Sequence, residues 1–184
     1  MVTGTKGPGL VESVSIVITT GTFNLLLPNH VEFLKRAAGL GDSLYIFLDS
    51  DKRNKELKGD KVLFSFRERA ITLQHLDIVD RVIEYDGPKG RFAQELVRLS
   101  DPGRGVGGII FVKGGDYSYK DLNVDELEVL KKFDATVAIL PLNDGLSTSD
   151  VFETYGARYL QQQTDSGYVV REVDIQDSLR GEDL

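Results

Sequence analysis

His30 closes a ten-residue stretch, Gly21-Thr22-Phe23-Asn24-Leu25-Leu26-Leu27-Pro28-Asn29-His30, whose residue types point to anion chemistry. The stretch follows an apolar run from Val14 to Thr20 and opens an amphipathic segment from Val31 to Ala38. A strand, a glycine-bearing polar turn and a helix start, in that order, make a phosphate site. The unpaired N–H groups of the first helical turn and the positive end of its dipole face an anion. An imidazole in that turn could aim at the same phosphate. The plainer reading of a lone histidine is a cap or a half-buried packing residue.

Two further segments carry groups of the same kind. Lys113-Gly114-Gly115-Asp116 closes the apolar run Ile109 to Val112. Glycines let the backbone approach a flat base or ribose, and Lys113 and Asp116 could contact a nucleotide or its partner substrate. A simple turn after a strand is the alternative. Ser147-Thr148-Ser149 precedes a helical segment from Asp150 to Leu160, where hydroxyls and free N–H groups can hold an anion or only cap the helix. Among the basic residues, Lys55, Lys58, Lys61, Arg67 and Arg69 are suited to phosphates, against the alternative of a solvated helix face.

The elements that must position these groups follow from the periodicity. Apolar, β-branched runs predict strands at 13–19, 43–49, 79–85, 108–113 and 135–141. Helices fit 29–39, 64–76, 90–99, 123–133 and 148–160, with Ser65/Glu68 and Asn123/Glu126 spaced as capping boxes. Segments 50–64 and 100–107 read as loops. Strand–helix alternation throughout predicts a parallel sheet covered on both faces, with ligand loops gathered beyond the carboxyl ends of the strands.

The chain has 184 residues, 41% hydrophobic and 28% charged, which suits one domain with a proper core. It lacks cysteine, so there is no disulfide framework and no thiolate metal site or nucleophile; no protein metal site is assigned. The net charge of −7 argues against a nucleic-acid binder. Residues 161–184 hold −4 of that charge and read as a solvated acidic extension. The first dozen residues lack the apolar core of a signal peptide and no run reaches membrane-spanning length, so a cytoplasmic protein that does not enter membranes is expected.

Together the three segments resemble the cytidylyltransferase-like nucleotidyltransferases, above all the heptose-1-phosphate adenylyltransferase domain of ADP-heptose synthesis, with glycerol-3-phosphate cytidylyltransferases next. Phe64-Ser-Phe-Arg-Glu-Arg-Ala70 and Val79-Asp80-Arg81-Val82 also fit, so the likeness runs over about residues 14–155. The family's first loop reads Gly-Thr-Phe-Asp, two residues, His-x-Gly-His. In this chain Asn24 stands for the aspartate, Leu27 for the first histidine and Asn29 for the glycine. Asp150 and Glu153 replace the basic or amide-bearing face expected after the hydroxyl cluster.

The resemblance implies an α/β, Rossmann-like, doubly wound parallel five-stranded sheet over residues 13–160, flanked by extensions at 1–12 and 161–184. It implies transfer of a nucleotidyl group from ATP or CTP, with Mg²⁺, to a sugar or alcohol phosphate, releasing pyrophosphate; the adenylyl branch is favoured. His30, Lys58 and Arg69 take the catalytic places. Thr22, Phe23, Asn24, Lys113, Gly114, Gly115, Asp116, Ser147, Thr148 and Ser149 take the nucleotide-binding ones, and a homodimer is implied. Catalysis of this type is alignment and charge neutralisation, because the attacking phosphate is already an anion. Leucine at position 27 cannot donate a hydrogen bond, so the loop reads as weakened. The alternative is an inactive nucleotide-binding relative with a structural or regulatory assembly role.

Overall fold

The computed structural model describes residues 13–59, 62–114 and 122–141. Five parallel strands, β1 (Val14–Gly21), β2 (Ser43–Asp49), β3 (Arg81–Tyr85), β4 (Val106–Gly114) and β5 (Thr136–Leu140), pair in the order β3-β2-β1-β4-β5. The direction of winding reverses at β1. The helix that follows β1 therefore covers one face and the helix that follows β4 the other, which makes the carboxyl edge between them the place where open α/β sheets bind ligands.

Alternation along the strands divides the core into two layers. Ile16 and Ile18 of β1, Phe47 of β2 and Phe111 of β4 point to one face, under α4 (Ala93–Leu99) and α5 (Val124–Lys132). Val17, Leu44, Ile46, Leu48 and Val112 point to the other, under α1 (Pro28–Ala38) and α3 (Phe66–Gln74). Burial of Phe33, Leu34 and Ala37 on α1 shows the helical spacing that puts one stripe on the sheet. On the α4/α5 face Phe92 sits edge-on to Phe47, Tyr85 and Phe111, with centroids 4.9, 5.6 and 6.2 Å away. Such edge-on aromatic contacts add about 0.5–1.5 kcal/mol each beyond area burial.

The Ser65/Glu68 capping box forms as spaced, whereas at Asn123 only the cap half forms, because the Glu126 carboxylate turns inward to Tyr85. Ser65 Oγ accepts from the Glu68 N–H while Glu68 Oε2 accepts from the Ser65 N–H at 2.9 Å, and Asn123 Oδ1 accepts from the N–H groups of Asp125 and Glu126. Three expectations need correction. Residues 51–58, read as loop, form α2 (Asp51–Lys58). This helix buries only Asn54, so it has no apolar stripe to reveal it; its signals are the Ser50 cap, whose Oγ accepts from Arg53 N–H at 3.1 Å, and Gly59 at positive φ. Residues 100–107, rich in glycine, are also less of a loop than expected. A short turn over Pro102–Arg104 leads straight into β4, which starts at Val106 and passes Gly107 as a bulge opposite Val14 and Ser15. One wide turn over Pro88–Phe92 precedes α4, which starts at Ala93 instead of residue 90.

The helix expected at 148–160, the extensions at 1–12 and 161–184, and Lys61 lie outside the described residues. Among the described residues no helix is long and apolar enough to cross a membrane.

Candidate active site

The opening loop is built around Phe23. Its backbone takes a left-handed φ of 44° and its ring folds back over Gly21, where a Cβ would stand 2.9 Å from the ring. The ring meets the His30 imidazole edge-on, with centroids 5.8 Å apart. Asn24, buried, accepts from the Leu63 N–H at 2.8 Å and so ties the loop to the segment before α3.

Leu27 caps α1 in extended conformation, with Pro28 as the first helical residue. Its N–H donates to His30 Nδ1 at 3.1 Å. With Nδ1 as acceptor, the proton of the neutral ring lies on Nε2. Burial holds the imidazole below its ordinary pKa; the Leu25 carbonyl opposes that shift and the Lys58 charge adds to it. Lys58 thus reaches His30 electrostatically from the exposed end of α2. The His30 N–H faces both Leu27 O at 3.0 Å and Asn29 Oδ1 at 2.9 Å, so an Asn29 side chain covers an amide of the helix N-terminus.

The lowered pKa fixes a sign. The unfolded imidazole takes its proton near pH 6.5, the folded one only at lower pH, so the unfolded state binds more protons in between. His30 therefore contributes stability above that pH and loses it on acidification. Urea midpoints measured at about pH 7.5 and about pH 5.5 should fall for the natural protein and fall less for His30→Gln.

Arg69 is placed differently from the phosphate-facing arginine expected. It is 2% exposed, and its guanidinium donates to Phe64 O at 2.9 Å, Thr22 O at 2.8 Å and Asp51 Oδ1 at 3.0 Å. The Asn54 carboxamide lies against it; in the orientation its partners select, Oδ1 accepts from Nη2 at 2.9 Å and Nη1 at 3.1 Å, while Nδ2 donates to Thr22 Oγ1 at 3.3 Å. All five guanidinium N–H groups are then occupied. Arg69 holds the Thr22 loop in place from beneath. Thr22 Oγ1 in turn donates to Asp49 Oδ2 at 2.8 Å, and Asp49 Oδ1 pairs with Arg53 Nε at 2.8 Å.

Lys113, near the end of β4, lies beside β1, and its ammonium is engaged internally. It donates to Thr20 Oγ1 and stands 3.5 Å from Glu126 Oε2. Tyr85 OH donates to Glu126 Oε1 at 2.6 Å. Burial, then the adjacent Glu126 carboxylate, push the Tyr85 hydroxyl far above its ordinary range, so it remains a donor. Gly114 ends the strand; Gly115, Asp116, Ser147, Thr148 and Ser149 lie outside the described residues.

The structure therefore brings Thr22, Phe23, Asn24, His30 and Lys58 to one side of the β1 carboxyl end, with Lys113 and Gly114 on neighbouring β4. Sequence reading missed Asp49, Arg53, Asn54, Tyr85 and Glu126. Asp49 and Tyr85 end strands in the register that carries ligand loops; that position was the available signal. A cavity of about 350 Å³ opens behind the loop, among Phe23, Leu26, Phe64, Thr72 and Leu73 with Asn24 and Arg69 on its wall. Among the described residues no three His, Asp or Glu side chains cluster as a metal site.

The comparison with protein families decides what this edge belongs to. The cytidylyltransferase-like family matches residues 18–154. The chain belongs to that family. This cytidylyltransferase-like chain is similar to the bifunctional protein HldE of Koribacter versatilis, 34% identical over 139 residues that make up 75% of the chain and 26% of the relative. The HldE of Citrifermentans bemidjiense is 36% identical over 145 residues, 78% of the chain and 28% of the relative. The chain thus spans about a quarter of the length of these curated relatives. Among solved structures, a lipopolysaccharide core biosynthesis protein from Thermoplasma volcanium is similar in fold, with a TM-score of 0.53 and 24% identity over 73% of this chain and all of that one.

Proposed function

We propose that this cytidylyltransferase-like chain binds ATP in preference to CTP and transfers its nucleotidyl group slowly to a small phosphorylated acceptor, a sugar 1-phosphate of the heptose type. An oxygen of the acceptor phosphate attacks the α-phosphorus; the bond to the bridging oxygen breaks and pyrophosphate leaves. Mg²⁺ enters as part of the triphosphate substrate. The observation that carries this reading is His30, a neutral imidazole whose Nδ1 is locked by the Leu27 N–H in the first turn of α1, beside Lys58. The His30 imidazole, the α1 N-terminus and the Lys58 charge would neutralise the charge that builds on the phosphates. Arg69 would act indirectly, by fixing the loop, and Lys113 with the glycines after it would meet the nucleotide. The likeness to the HldE proteins supports the choice of branch. A cytoplasmic homodimer is part of the same reading.

A second reading has its own support: the α1 cap offers Leu27 where a donor is wanted, and Asn29 covers the His30 amide. These favour a nucleotide-binding relative with an assembly role. Titration calorimetry with ATP and CTP, with and without Mg²⁺, tests both, paired with pyrophosphate release in the presence of sugar 1-phosphates and of glycerol 3-phosphate. The first reading expects ATP binding with measurable release; binding without release selects the second; no binding of either nucleotide overturns both.

A further inference from the structure

Glu126 is a buried carboxylate that the proposed transfer does not use directly. It is 3% exposed, stands in the first turn of α5, and receives a short hydrogen bond from Tyr85. A buried charge persists only where partners replace its water. Its partners are functional in position. Lys113 faces Oε2, and Thr20, which accepts from Lys113, stands 3.4 Å from Oε1. The α5 N-terminus adds a favourable dipole.

The network does not stop at Glu126. Arg53 stacks over the Tyr85 ring with its guanidinium carbon 4.8 Å from the centroid, and pairs with Asp49, which holds the Thr22 hydroxyl. One chain of polar contacts therefore runs beneath the carboxyl edge from Lys113 on β4, across the ends of β1 and β3, to the loop after β1. Side chains in such a chain restrict one another's rotamers, because moving one strands a buried polar group on the next.

We propose that Glu126 is a positioning residue for the nucleotide: with Thr20 it sets the Lys113 ammonium at the parting of β1 and β4, and through Tyr85, Arg53 and Asp49 it keeps Lys113 and Thr22 in fixed relation. Lys113 touches the ligand; Glu126 acts through Lys113. The inference rests on the nucleotide-binding reading above. An alternative role for Glu126, plain support of the sheet edge, would stabilise the fold without passing through Lys113.

A double-mutant cycle separates the two roles. ATP is titrated into the full chain as the natural protein, Glu126→Gln, Lys113→Met and the double variant, each at a temperature where thermal unfolding shows it folded. Glutamine keeps the volume and an acceptor for Tyr85 while removing the charge. Positioning through Lys113 expects each single variant to weaken ATP binding by about tenfold and the double variant to be no weaker than either. Losses that multiply to about a hundredfold, or an unchanged affinity for Glu126→Gln, overturn the proposal. If Glu126→Gln does not fold, Tyr85→Phe takes its place in the cycle, with the same two outcomes. A natural protein that binds no ATP overturns the nucleotide reading and this proposal with it. Binding by the natural protein with multiplicative losses overturns this proposal alone.

Discussion

Replacing Leu27 by histidine and Asn29 by glycine together should raise pyrophosphate release by about 10²–10³-fold. Leu27 is the N-cap of α1, one turn from His30, so a ring there would bring a second donor to the helix N-terminus that faces the phosphates. The expected size is that of one preorganised donor to developing charge, about 3–4 kcal/mol. Asn29→Gly removes the Oδ1 that shares the His30 N–H with Leu27 O, and so uncovers one side of that amide. Glycine in the first turn weakens the helix by at most about 1 kcal/mol. The measurement is steady-state release with ATP and a sugar 1-phosphate for the natural protein, both single variants and the double. Brisk turnover by the natural protein, unchanged or reduced on adding the histidine, would show that another group already fills the gap.

Arg69→Ala should destabilise the fold by about 3–5 kcal/mol, the range for breaking a buried charged network by removing one member. Thr22 O, Phe64 O and the Asn54 amide would lose their donor together. For a chain of this size that is a drop of roughly 6–15 °C in melting temperature. Arg69→Lys should recover little, because one ammonium cannot span acceptors that a planar fork reaches in three directions. This pair of variants distinguishes a positioning arginine from a phosphate ligand. For a ligand, lysine would leave stability intact and affinity partly retained; for the observed network, stability falls with either substitution and ATP binding fails with it.

The fold was legible because its signal is local and repeated. Runs such as Ile16–Thr20 and Ile46–Asp49 are buried on both faces, and only a parallel sheet under two helical layers makes that cheap. The Ser65/Glu68 and Asn123/Glu126 spacings marked helix starts that formed where expected. Helix α2 was not legible, since Asp51–Lys58 has no apolar face and relies on the Ser50 cap, the Asn54 contact and its neighbours. The site divided in the same way. Position and type placed His30 at a helix start after β1, and the family likeness placed Lys58 and Lys113 near it.

What the side chains of that neighbourhood are bonded to belonged to the tertiary structure alone. Arg69 and Lys58 are both basic residues on helices following β2, and nothing in their local sequence separates them. Packing does: Arg69 falls on the buried side of α3, under the Thr22 loop, where desolvation demands that every N–H find an acceptor, whereas Lys58 falls at the solvent end of α2 and keeps its charge for what approaches. Lys113 and Glu126 are thirteen residues apart, and Tyr85 is forty-one from Glu126. Their meeting depends on the strand order β3-β2-β1-β4, a long-range choice that chain periodicity does not encode.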